Sequence, residues 1–130
     1  GINNLEIYQT YQVKAENVKN EFLTFLLAAK NRGKSVVAYG AAAKGVTLLN
    51  FCGIRQDLMN FVVDASPHKQ NKFLPGVHIK VIDELEIRKT KPDFIVILPW
   101  NLKDEISTQL SYIRDWDAKF VTAVPNMEIF

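Results

Sequence analysis

The sequence predicts an α/β domain, with a mostly parallel sheet of about five strands, helices on both faces and a long N-terminal helix. Short unalternated apolar runs are typical of strands buried on both faces of a parallel sheet. Segments with helical periodicity separate these runs. With 48% hydrophobic and 23% charged residues, the 130-residue chain has the composition of one globular domain with a substantial core.

The first part of the chain predicts a long amphipathic helix that ends near Arg32 and Gly33. Its apolar residues recur at intervals of three or four, and Tyr8 and Tyr11 are expected to pack. The predicted apolar face comprises Tyr11, Ala15, Val18, Phe22, Phe25 and Ala29. Residues 1–33 are interpreted as this helix and a connector. Because the chain starts without Met or a leader-like stretch, we expect residues 1–130 to be one domain of a longer, multidomain protein.

A strand, a helix and a second strand follow. The apolar run 36–39 predicts the first strand, 41–51 a turn and helix, and 59–64 a strand that ends on Asp64. Residues 65–77 contain two prolines and a glycine and show no periodicity. They predict a loop of about a dozen residues, which is long enough to indicate a function.

The second half of the chain continues the alternation. We expect a short strand over 78–81, a short helix over 83–88, a central strand over 94–98, a helix over 102–116 and a last strand over 120–124, ended by Pro125. Asn101 stands at the N-cap position of the longer helix, and Asp104 completes a box-like pair. Right-handed crossovers then imply the strand order 3-2-1-4-5, a three-layer Rossmann-like fold.

Composition excludes several functions. The 16 basic residues are scattered against 14 acidic ones, so nucleic acid is not an expected partner. Apolar runs of about eight residues are too short to cross a membrane. The single cysteine, Cys52, is expected to be a buried apolar residue, and a cytoplasmic location is expected. His68 and His78 have no third ligand nearby, so we expect no metal site, and no catalytic constellation is visible.

The carboxyl edge of the sheet is the expected binding site, because ligands of open parallel sheets bind where the strand order reverses. Residues 40–45 follow the first strand, and their small side chains let backbone N–H groups approach an anion at a helix N-terminus, to which Lys44 adds positive charge. The spacing matches the dinucleotide fingerprint except at Ala42, and Asp64 stands where a ribose-binding acid belongs. Tight packing of strand against helix is the alternative. Trp100 and Asn101 either face a ligand or serve as a packed ring and a helix cap.

Four motifs stand in order along the chain: YGAAAKGVTLLN at 39–50, VDASPHKQ at 63–70, LPG at 74–76 and ILPWN at 97–101. Together they resemble the C-terminal domain of the sugar C-methyltransferases. Asn71 replaces a common glycine, which the tolerance of Asn for left-handed backbone can absorb. Val77 and Lys80 also depart from the family pattern. The resemblance implies a parent enzyme that acts on nucleotide-linked deoxysugars, with an N-terminal zinc-binding domain and a middle domain that binds S-adenosylmethionine.

The resemblance also implies that the domains of the parent enzyme have different functions. The methyl donor and the catalytic residues belong to the middle domain, so this domain alone is expected to bind no cofactor and transfer no methyl group. It is expected to supply part of a pocket for a nucleotide-diphosphate sugar and a surface against the middle domain. The candidate pocket residues are Gly40, Lys44, Gly45, Asp64, Lys69, Trp100 and Asn101. A small NAD-binding module and a structural interdomain docking domain remain alternatives.

Overall fold

A computed structural model describes residues 4–130, apart from the side chains of residues 7 and 8. The expected packing of Tyr8 therefore lies outside the described residues. The helices are α1 (Asn4–Asn31), α2 (Ala43–Cys52), α3 (Leu85–Thr90) and α4 (Lys103–Gln109), with 3₁₀ turns at Trp100–Leu102 and Ser111–Trp116. The strands are β1 (Val36–Tyr39), β2 (Val62–Val63), β3 (Val81–Ile82), β4 (Phe94–Ile97), β5 (Lys119–Thr122) and β6 (Glu128–Ile129).

The described residues form one six-stranded sheet in the order β3-β2-β1-β4-β5-β6. Strands β1 to β5 are parallel, which confirms the predicted order. The sixth strand was not predicted. It runs antiparallel to β5, with Ile129 opposite Val121 and Glu128 opposite Thr122. The chain thus reverses after β5 and returns along the sheet edge, rather than ending its strand structure at Pro125.

Side chains alternate between the two faces of the sheet and build a core on each. Ala38 and Val96 belong to the core that contains Phe22 and Leu26 of α1 and Leu49 of α2. The opposite core holds strand residues Val37, Ile97 and Phe120 together with Ile87 of α3 and Ile106 of α4. The result is the three-layer α/β arrangement that the sequence predicts. Cys52 is buried in the first core, as expected, and burial raises the pKa of its thiol.

Among the α1 side chains that the structure describes, the buried ones lie in the second half of the helix. Phe22 and Leu26 are fully buried, whereas Tyr11, predicted on the packed face, is 67% exposed. Geometry explains the error. The 28 residues of α1 extend about 42 Å, whereas the four residues of β1 extend only about 13 Å. The sheet is therefore too short to cover the whole apolar stripe, and the stripe continues beyond it.

The segment predicted as one helix over 102–116 is broken. Helix α4 ends at Gln109, and Leu110, with φ −100° and ψ 18°, leads into the 3₁₀ turn Ser111–Trp116. The helix cap was also wrong: Asn101 lies inside the preceding 3₁₀ turn, and α4 starts without a side-chain cap. The indole N–H of Trp116 donates to the Pro92 carbonyl at 2.9 Å, which holds the turn against the start of β4.

Among residues 4–130, no helix is both long enough and apolar enough to cross a membrane.

Candidate functional site

The carboxyl ends of β1, β2 and β4 meet at one edge of the sheet. The Gly40 amide donates to the Val63 carbonyl at 2.8 Å, and the Leu98 amide donates to the Tyr39 carbonyl at 3.1 Å. Most of the predicted pocket residues therefore come together at the point where the strand order reverses. Asn101 follows Trp100 at this edge and is exposed, and its side chain forms no hydrogen bond within residues 4–130.

Two of the predicted residues, Gly40 and Gly45, are required by packing. A Cβ on Gly40 would lie 2.6 Å from the Cδ of Pro99, and one on buried Gly45 would lie 2.7 Å from the Cβ of Leu98. Gly40 also has a φ of +96°, a backbone angle that residues with a side chain rarely adopt. The two glycines let the segment between β1 and α2 lie directly against the end of β4. For these positions the geometry favours the packing alternative over contact with a ligand.

Asp64 joins the loops that follow β1 and β2. Its Oδ2 accepts a hydrogen bond from the Ala41 amide and its Oδ1 one from the Ser66 amide, both at 2.8 Å. Backbone donors of the domain itself therefore occupy both carboxylate oxygens. Asp64 therefore has a structural role in joining the two loops, and each of its oxygens retains one further acceptor position.

Lys69 binds the other backbone polar group of the same residue, Ala41. Its Nζ donates to the Ala41 carbonyl at 3.2 Å, and the neighbouring Gln70 side chain donates to the Asp64 carbonyl at 2.9 Å. Gln70 ends the VDASPHKQ motif but was not among the candidate pocket residues, since a loop glutamine by itself indicates no ligand. An ammonium group has three donors, so exposed Lys69 retains capacity to bind an anion beside the loop.

The N-terminus of α2 is the open part of this edge. Its N-cap, Ala42, provides no side-chain hydrogen bond, and residues 42–44 are exposed. The first-turn N–H groups have no acceptors within the helix and carry partial positive charge. The Lys44 Nζ lies 5.7 Å from the centroid of the half-buried Trp100 ring. A positive helix end thus lies beside an aromatic ring, and together they can hold an anion and a flat apolar surface.

A cleft of about 280 Å³ extends from this edge between α2 and the loop after β2. Its lining includes Val46, Lys69, Lys72, Phe73 and Leu74. Sequence reasoning identified only Lys69 among them. The sequence signal for this cleft is an aromatic residue beside a lysine, in a predicted loop that is long enough to indicate a function.

The opposite face of the same strand ends carries a hydrogen-bonded bridge between helices. The Gln109 side chain donates to the Tyr39 hydroxyl at 2.9 Å and to the Glu84 carboxylate at 3.0 Å. Burial raises the pKa of Tyr39. Gln109 thereby connects α4 with the residue that precedes α3 and with the end of β1.

Tyr112 packs against the core on the α3 and α4 face of the sheet. Its phenol is expected to make the domain less stable in alkali. Burial, together with the nearby Glu84 carboxylate, raises the pKa of Tyr112 from 10.0 to about 12. Because the folded state favours the neutral phenol, this contribution is complete below pH 10 and is lost as the pH rises towards 12. Urea unfolding at several pH values should show that the free energy of unfolding declines less steeply in alkali for Tyr112→Phe than for the unsubstituted chain. Parallel declines would contradict the assignment.

A mostly parallel sheet with helices on both faces and polar loops at its carboxyl edge defines a Rossmann-like α/β domain. The family model of the C-methyltransferase C-terminal domain matches residues 1–125, and the chain belongs to this family. The chain is also similar to the C-methyltransferase NovU of Streptomyces niveus, with 27% identity over 129 residues. The alignment covers 99% of this chain and 31% of NovU, so the chain spans about a third of that relative's length.

Proposed function

We propose that the chain is the substrate-binding C-terminal domain of a sugar C-methyltransferase and holds part of a nucleotide-diphosphate sugar. The observation that carries the proposal is the exposed N-terminus of α2 beside Lys44 and Trp100. Membership of the C-methyltransferase C-terminal domain family supports it. The middle domain of the parent enzyme would bind S-adenosylmethionine and perform the transfer, so this domain alone would not be catalytic.

The two parts of the site match the two parts of such a substrate. The helix N-terminus and the Lys44 ammonium suit a diphosphate, because backbone N–H groups and a positive charge converge on one anion. The Trp100 ring offers an apolar face that excludes water beside it. A sugar attached to the diphosphate would therefore lie against Trp100, at the edge where a neighbouring domain would complete the pocket.

The two alternatives receive different support. An NAD-binding module would direct the acid at the end of β2 to a ribose, whereas the Asp64 carboxylate is directed to the Ala41 and Ser66 amides. It would also need close backbone approach at Ala42, where a methyl group replaces hydrogen. A structural docking domain is favoured by the packing roles of Gly40 and Gly45. Ligand binding separates this alternative from our proposal.

Thermal unfolding of the 130-residue chain tests the proposal directly. Thymidine diphosphate and a thymidine-diphosphate sugar should each stabilise it, by about 2.7 kcal/mol at 100 times the dissociation constant. S-adenosylmethionine and NAD should leave the unfolding temperature unchanged. Stabilisation by NAD would favour the dinucleotide module, and no shift with any of the four compounds would favour the docking domain.

Lys44→Ala should weaken binding of thymidine diphosphate to this chain about three- to tenfold, because one positive charge at the helix N-terminus is lost. Isothermal titration calorimetry at low salt measures the change. Lys34→Ala is the matched control, since Lys34 is an exposed lysine that precedes β1 at the opposite edge of the sheet. Equal affinities for the two variants would remove Lys44 from the site.

A further inference from the structure

We propose that the cleft between α2 and the loop after β2 binds the nucleoside end of the substrate, with its base stacked on Phe73. This inference rests on the proposed function and adds to it the position of the base. We call this site the Phe73 cleft, which is lined by Ala41, Val46, Lys69, Lys72, Phe73 and Leu74, among others. The diphosphate would then lie at the α2 N-terminus, and the sugar would point towards Trp100.

The Phe73 ring is available for stacking. It is 59% exposed, and within residues 4–130 no other ring or cation covers it. Trp100, the other aromatic ring at this edge, is half-buried and already lies against the Lys44 ammonium. Bases of any sequence stack on aromatic side chains, because every base has a π-face. The more accessible ring is therefore the better platform for a base.

The backbone around Phe73 is ordered by its own hydrogen bonds. Phe73 forms an antiparallel bridge with Lys80, and the Leu74 amide donates to the Ile79 carbonyl at 2.8 Å. The Val81 amide also donates to the Lys72 carbonyl at 2.8 Å. Residues 72–77, the end of the segment predicted as a loop, thus form one side of a hairpin-like strip, and residues 78–81 form the other. A ring presented by such a strip loses little further freedom when a ligand binds.

A second set of contacts fixes the far wall of the cleft. The Asn50 side chain on α2 donates to the Pro75 carbonyl and to the Val46 carbonyl, both at 3.0 Å. Gly76 lies directly against Asn50, since a Cβ there would be 2.0 Å from the Asn50 Oδ1. The hairpin-like strip is therefore tied to α2, and the cleft has a defined width.

The charge of the cleft suits a nucleotide. Lys69 and Lys72 are among its lining residues, and none of the lining residues that the structure describes is acidic. Lys69 lies at the boundary with the α2 N-terminus, where it contacts the Ala41 carbonyl. A phosphate at this boundary would meet a lysine and the helix N-terminus together, while the base continues into the cleft towards Phe73.

The size of the cleft suits part of a ligand. About 280 Å³ lies just below the range of roughly 300–1,000 Å³ that is usual for small-molecule pockets. One nucleoside fits this space better than a whole dinucleotide or nucleotide sugar would. The remainder of the substrate would extend over the open edge of the sheet.

Calorimetry on the 130-residue chain with thymidine diphosphate and with inorganic pyrophosphate tests this position. In the unsubstituted 130-residue chain, thymidine diphosphate should bind more tightly than pyrophosphate, which has no base. Phe73→Ala should lower the affinity for thymidine diphosphate about 5- to 100-fold, because one base–aromatic stack is lost. The affinity for pyrophosphate should change by no more than about twofold. Phe73→Tyr, which keeps a ring, should restore most of the affinity. Phe51→Ala, at an exposed phenylalanine near the other end of α2, is the matched control and should change neither affinity.

The outcomes separate this inference from the proposed function. If both ligands bind but Phe73→Ala leaves the affinity for thymidine diphosphate unchanged, the base lies elsewhere, and the proposed function stands without the Phe73 cleft. If neither ligand binds the folded parent chain, both the proposed function and this inference are overturned.

Discussion

Gly40→Ala is expected to destabilise the domain by about 2–5 kcal/mol. The new Cβ would lie 2.6 Å from the Cδ of Pro99, a ring that cannot rotate out of the way as a flexible side chain can. The φ of +96° adds backbone strain for any residue with a Cβ. Because Gly40 stands between the ends of β1 and β4, relief of the clash would separate the central strands of the sheet.

Urea unfolding followed by circular dichroism measures this effect, and Gly33→Ala supplies the control. Gly33 also has a positive φ, +71°, but a Cβ there would meet no atom within 4 Å. Its substitution should therefore cost only the backbone strain, about 1–2 kcal/mol. The difference between the two variants isolates the contact with Pro99. Equal losses of stability would show that the close approach of the two chain segments is not required.

Phe22→Ala is expected to destabilise the domain by about 3–5 kcal/mol, because it removes a fully buried ring from the contact between α1 and the sheet. Tyr11→Ala, on the same helix, should change the free energy of unfolding by no more than about 0.5 kcal/mol, because Tyr11 is 67% exposed. The pair tests whether only the second half of α1 belongs to the folded core.

The two α1 variants are measured by the same urea unfolding. A large loss for Tyr11→Ala would mean that the first half of the helix is also buried in solution, for example between two copies of the chain. Sedimentation of both variants at several concentrations would then detect such self-association through its dependence on concentration.

The strand order was predictable because it follows from local pattern and general chirality. Apolar runs such as 36–39 and 94–97 form buried parallel strands, and the helices between them permit only right-handed crossovers. Strand β6 was missed because two exposed residues, Glu128 and Ile129, carry no periodic signal and pair only through their backbone. The exposure of Tyr11 was missed because periodicity gives the face of a helix but not the extent of the sheet beneath it.

The position of the candidate site was predictable from topology, but the roles of its residues were not. Sequence spacing placed Gly40, Gly45 and Asp64 at the carboxyl edge of the sheet, where the structure also has them. Their contacts with Pro99, Leu98 and backbone amides depend on the distance between loops that are far apart in sequence. Asn71 is an instructive success: its φ of 63° shows the left-handed conformation that lets asparagine replace glycine. The exposure of the Phe73 ring follows from the fold of its hairpin-like strip. No periodic pattern in the sequence predicts that fold.

Side chains from the loop after β2 bind both backbone polar groups of Ala41: its amide donates to the Asp64 carboxylate, and its carbonyl accepts from the Lys69 ammonium. Neither loop can therefore open locally without breaking bonds of the other, so the two form a single cooperative unit. A molecule that orders one loop orders both, and the associated loss of conformational entropy occurs once rather than twice. The loops after β1 and β2 are therefore expected to become ordered or disordered together.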